Sequence, residues 1–154
     1  MEVTADDWLI LVDDAFGQML SKADSLGMLV SSAPPLPGAN SVYAIVTHCV
    51  GMCRWWVEHA ILGHPTQRDR ASEFTAEGTV EELREMVADL RRTLVDLLRA
   101  VDQTSVPLAV GAAESSAEWR RWSWSVGGIM AHVIEELFQH AGHVDITTDL
   151  LKSS

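Results

Sequence analysis

The chain has 154 residues, about one domain's worth and enough to bury roughly two-thirds of the surface its unfolded form exposes. Apolar residues at 47% and charged residues at 21% exclude a disordered chain, so an organised core is expected. The formal net charge of -11 would repel duplex DNA and anionic lipid alike, which leaves neither nucleic acid nor a membrane surface as an expected partner.

The opening MEVTADDWLI is acidic and lacks the basic-then-apolar pattern of a signal peptide, and no apolar run approaches the roughly 18 residues needed to span a bilayer. A cytoplasmic, soluble protein folding as one domain over 1–154 is the expectation. Thr4 has the character of an N-cap, with Asp6 and Asp7 where a first turn favours anions. Trp8, Val12, Ala15, Phe16, Met19 and Ala23 then recur at helical spacing, predicting a first helix from about Ala5 to about Val30. Three prolines and a glycine in SSAPPLPGAN, Ser31 to Asn40, make a loop.

Helical periodicity resumes from Ser41 to about Leu62, with Ile45, Cys49, Met52 and Trp56 at the centre of the apolar face and His48 and His59 beside it. Cys49 and Cys53, the only cysteines and one turn apart, read as small buried hydrophobes. GHPTQRDRASEFTAEG has no period and reads as a long surface connection. Thr79 and Glu82 form a capping-box pattern ahead of the regular stripe Leu83, Met86, Val87, Leu90, Leu94, Leu97, Leu98 and Val101. Arg84, Arg91, Arg92 and Arg99 are its solvated face. The region from Asp102 to Ser125 has no clear form. Its Trp119, Trp122 and Trp124 either lid the bundle or wall a ligand pocket, with Arg120 and Arg121 offering charge to an acidic substrate.

Ser125 is placed to cap the last helix, Val126 to Leu151, where Ile129, Val133, Leu137 and Val144 form the apolar stripe. His132, Glu136, His140 and His143 fall within or beside that stripe. Taking a carboxylate out of water is costly unless it is paired, hydrogen-bonded or metal-bound, so Glu136 between two histidines calls for a reason. Four amphipathic helices with loops long enough for crossings predict an all-α four-helix bundle, the order of up and down helices left open. There is no internal repeat, phosphate-binding glycine loop or nucleophile elbow.

Geometry prunes the metal ligands the last helix can offer. Residues eight apart are separated by about 12 Å of rise, so His132 and His140 cannot share an ion whose bonds are about 2.1 Å long. The pairs left are Glu136 with His140, His132 with Glu136, or His140 with His143. A third ligand must come from elsewhere, and His48, beside the core face of another long helix, is the natural donor. The Glu-x-x-His of bundle di-iron proteins is absent, because Phe138 and Gln139 follow Glu135 and Glu136 by three. His-Glu-x-x-His is absent too.

A bundle with a histidine in the first half of helix two and a last helix reading HxxxExxxHAGHVD resembles the DinB-like superfamily. Within it the chain is most similar to the branch of mycothiol-dependent maleylpyruvate isomerases and mycothiol S-transferases, which RDRASEF, Arg68 to Phe74, also resembles. The resemblance implies a metal held by His48, Glu136 and His140, with a thiol or water at the open position and His132 and His143 around the set. The isomerases of that branch carry a further C-terminal domain not found in this sequence, so the transferase chemistry is the one expected.

The expected activity is that of a metal-dependent transferase that activates a low-molecular-weight thiol, mycothiol or a similar one, for attack on a small electrophile. Zinc is the default ion, and two imidazoles with a carboxylate also suit nickel or iron. Arginine far outnumbers lysine, which is confined to Lys22 and Lys152, and this bias fits an actinobacterial source. The alternatives are a non-catalytic metal- or ligand-binding stress-response bundle and a metal-dependent hydrolase. An exposed helix face leaves room for a homodimer.

Overall fold

A computed structural model describes residues 3–99, 101–102, 104–105, 107 and 125–153. Helix α1 spans Ala5–Leu26. Its N-cap Thr4 accepts from the Asp7 amide, and the Asp7 carboxylate reaches back to the Thr4 amide. The expected run to Val30 is interrupted at Gly27, whose φ of 55° ends the α-helix, and the chain continues as a 3-10 turn over Gly27–Ser31. Helix α2, Val42–Arg54, is capped by Ser41 and widens into a π-helix over Trp55–Ile61. A single turn α3 covers Arg70–Glu73. Helix α4, Val80–Leu98, has the expected Thr79/Glu82 capping box, and α5, Val126–Lys152, starts on Ser125 as expected.

The four long helices close on one core, with Val12 and Met19 of α1, Val46 of α2, Leu83, Leu90 and Leu94 of α4, and Ile129 and Leu137 of α5 all buried. The all-α bundle is as the hydrophobic stripes predict, and the described residues contain no strand. Side-chain pairs settle the directions that sequence left open. Asp13 meets Arg91 and Asp24 meets Arg84, so α1 and α4 are antiparallel. Trp8 donates to the Met130 carbonyl at 2.7 Å and Lys22 pairs with Asp145 at 3.0 Å, so α1 and α5 run parallel. His48 faces His140 and Trp56 faces His132, which makes α2 and α5 antiparallel. The topology is up-down-down-up.

That order dictates the connection between α2 and α4. Both helices descend, so the chain leaving α2 must climb back along a segment about 30 Å long before α4 can begin. Residues 62–79 make that climb, and α3 packs on α2 along the way. Among the described residues no helix is long and apolar enough to cross a membrane.

Candidate metal centre

His48 lies on the face of α2 turned toward α5 and is 4% exposed. Its ring meets that of His140 edge-on, with centroids 5.0 Å apart and planes at 74°. One turn back along α5, Glu136 Oε2 is 3.7 Å from His140 Nε2, and one turn forward the His143 ring is 5.4 Å from that of His140. His132 sits two turns down the helix, edge-on to Trp56 at 4.9 Å. The structure therefore brings His48, Glu136, His140 and His143 to one place and puts His132 in another. Trp119, Arg120, Arg121, Trp122 and Trp124 lie outside the described residues.

Among the described residues no three His, Cys, Asp or Glu side chains stand close enough to hold an ion as they are. Two of the predicted donors nevertheless stand near the spacing that a shared ion would impose. Two atoms bound to the same tetrahedral ion at about 2.1 Å lie about 3.4 Å apart. The 3.7 Å between His140 Nε2 and Glu136 Oε2 is close to that edge and too long for a hydrogen bond. Among the described residues His140 Nδ1 is buried with no hydrogen-bond partner, so none of them ties that side of the ring to another direction.

Electrostatics leave both imidazoles neutral, the form a metal requires. Burial, helped by His48, His143 and Arg70, lowers His140 to about 4. Burial also holds His48 below its ordinary value, against the opposing pull of the Glu73 carboxylate and with help from Arg68 and Arg70.

The shift has a stability consequence for metal-free protein. Below about pH 6.5 the unfolded chain takes up a proton on this histidine. The folded chain leaves His140 neutral down to about pH 4. The unfolded state then binds more protons, so stability falls as pH drops through that window. Thermal melts of metal-free protein should lose several degrees between about pH 7 and about pH 5, and His140→Asn should flatten the slope.

Residues 63–78 are not the plain surface connection their composition suggests. Asp69 caps α3 by accepting from the Ala71 and Ser72 amides, and the turn delivers Glu73 into the bundle at 7% exposure. Glu73 Oε2 is 2.8 Å from His48 Nδ1, while Arg68 reaches Oε1 through Nε at 2.6 Å and Oε2 through Nη2 at 2.7 Å. Phe74 stacks on the His48 ring at 4.6 Å, and the Arg70 guanidinium lies 5.8 Å from the Phe74 centroid. Periodicity misses Glu73 and Arg68, and only the likeness of RDRASEF to a known branch singles out their segment. Glu73 also lines a groove of about 500 Å³, together with Gly51, Arg54, Trp55 and Arg68.

Two neutral imidazoles and a carboxylate thus converge from α2 and α5, beside a segment folded back from the crossing connection. The family model described as mycothiol-S-transferase matches residues 9–152. The chain belongs to the mycothiol-S-transferase family. No curated protein and no solved structure shows a significant match. For a member of a thiol-transferase family, the state of the chain's own thiols matters. Cys49 and Cys53 are buried, as expected from sequence, and burial pushes both thiols up, with Cys53 and Glu136 adding to the rise at Cys49. Neither is available as a thiolate near neutral pH.

Proposed function

We propose that the protein is a metal-dependent S-transferase in which His48, Glu136 and His140 hold a divalent ion, zinc by default, and a low-molecular-weight thiol such as mycothiol is the cosubstrate. The observation that carries this reading is the meeting of neutral His48 and His140, 5.0 Å apart on antiparallel helices, with Glu136 at ligand-like separation from His140. Family membership supplies the thiol, and the inert cysteines are consistent with a nucleophile brought from outside. When bound, the ion supplies the charge that lowers the pKa of a coordinated thiol.

The chain's own residues do the rest. Phe74, stacked on His48, shields one face of that ring from water. Burial keeps a proton off both His48 and His140, and the positive charge of Arg70 adds to that effect. His143, exposed beside His140, would take the proton that a coordinated thiol gives up and pass it to solvent, and the sulfur would then attack the electrophile's carbon as that carbon's bond to its leaving group breaks.

The test incubates protein and zinc with mycothiol and a small electrophile, monochlorobimane, and follows loss of free thiol. Wild type should consume thiol at a rate at least about 100-fold above His48→Ala. Equal rates would sink the proposal. Loss of electrophile with water as the only nucleophile would replace the transferase with a hydrolase, and thiol binding without turnover would replace it with a binding module.

A further inference from the structure

We propose that Arg68 and Glu73 form a positioning relay that fixes His48 in one tautomer, with the proton on Nδ1 and the lone pair on Nε2 turned toward the centre. The inference takes its functional meaning from the metal reading above, but its geometry stands on this chain alone. A carboxylate paired with arginine is acceptor-only, and arginine has no acceptor to offer. Arg68 Nη2 also lies 3.4 Å from His48 Nδ1 but makes its shorter bond, 2.7 Å, to Glu73 Oε2, so the proton in the 2.8 Å contact between His48 Nδ1 and Glu73 Oε2 belongs to the imidazole, which donates. In a neutral imidazole one ring nitrogen carries the proton and the other the lone pair, so a proton held on Nδ1 by Glu73 leaves Nε2 bare. A buried histidine ring free to exchange tautomers would offer a lone pair there only part of the time.

The relay is itself held in place. Arg68 closes on both carboxylate oxygens through Nε and Nη2, a bidentate geometry that fixes the orientation of the group as well as its position. Gly51 makes the space. A Cβ there would lie 2.1 Å from Glu73 Oε1 and 2.8 Å from its Cδ, and the Glu73 carboxylate is tied on both sides by Arg68 and His48. Glycine inside a helix costs about 1 kcal/mol relative to alanine, so its place at residue 51 of α2 has a reason in this close approach. The climb from the foot of α2 to the head of α4 is what brings a charged segment past His48 at all. Carboxylate partners of metal-binding histidines commonly change metal affinity by about 10- to 100-fold.

Nitrogen-15 NMR of uniformly labelled, metal-free protein reads the tautomer directly, with His48→Gln used to assign the ring. Wild-type His48 should show a protonated Nδ1 and a bare Nε2 at neutral pH, and Glu73→Ala should turn this into a mixture. Gly51→Ala should do the same by expelling an unaltered Glu73, while Glu73→Gln, which keeps the shape and one acceptor oxygen, should retain part of the bias if Glu73→Ala does not fold. Zinc competition against a fluorescent chelator should then show Glu73→Ala about 10- to 100-fold weaker than wild type and Glu73→Gln in between. A proton on Nε2 in wild type, or a tautomer indifferent to Glu73 and Gly51, overturns the relay whatever zinc does. The predicted tautomers in a protein that takes up no zinc would leave the relay standing and overturn the metal reading instead.

Discussion

Protein purified without chelator or metal-affinity resin should carry about one equivalent of transition metal, and His140→Ala should carry almost none. Removing His140 leaves His48 on α2 and Glu136 on α5, two donors where an open, reactive site ordinarily has three from the protein. The loss should also appear in stability. An ion that binds only the folded chain stabilises it by about 4 kcal/mol at a thousandfold excess over its dissociation constant. Zinc should therefore raise the melting temperature of wild type by many degrees and leave that of His140→Ala unchanged. Elemental analysis and melts with and without zinc check both halves. Wild type free of metal even after soaking with zinc would make Glu136, whose side chain is 31% exposed, an ordinary carboxylate beside a histidine.

The parts of this centre differ in how far the sequence discloses them. His48, Glu136 and His140 sit on regular helices, so a 3.6-residue period is enough to place each against a core face. The helix starts at Thr4, Ser41, Thr79 and Ser125 follow from local hydrogen bonding, which short-range sequence encodes. Direction is another matter. The parallel pairing of α1 with α5 depends on contacts more than a hundred residues apart, such as Trp8 with the Met130 carbonyl, and no period reports it. Glu73 is the instructive case. Its burial depends on His48, 25 positions earlier, and on Arg68, five positions earlier, and neither spacing belongs to a helix or a strand. A charged, turn-rich stretch looks like surface when its partners lie outside the window being read. The π-helical widening over Trp55–Ile61 likewise has no signal in the periodicity, which runs through it as though α2 continued.

Arg68→Ala should destabilise the metal-free protein by about 3–5 kcal/mol, well beyond the worth of an exposed ion pair. The side chains of Arg68 and Glu73 are 17% and 9% exposed, so deleting the guanidinium strands a carboxylate where water cannot replace it. If the cost comes from that stranded charge, removing the charge as well should recover much of it. The double variant Arg68→Ala/Glu73→Gln is therefore expected to be more stable than Arg68→Ala alone, with a coupling of about 1–3 kcal/mol by urea denaturation. Protonation gives a second reading of the same cause. Arg68 opposes a proton on His48 while Glu73 favours one, and burial tips the balance toward the neutral ring. Without Arg68 the pull of Glu73 is less opposed, and the folded-state pKa of His48 rises. A raised folded-state pKa adds stability at low pH that is lost as pH climbs through it. The deficit of Arg68→Ala against wild type should thus narrow as pH falls from about 7.5 to about 5.5, because a protonated His48 takes over part of the work of neutralising Glu73. A deficit of the same size at both pH values would mean that the lost stability comes from the packing of the arginine stem and not from the carboxylate it covers.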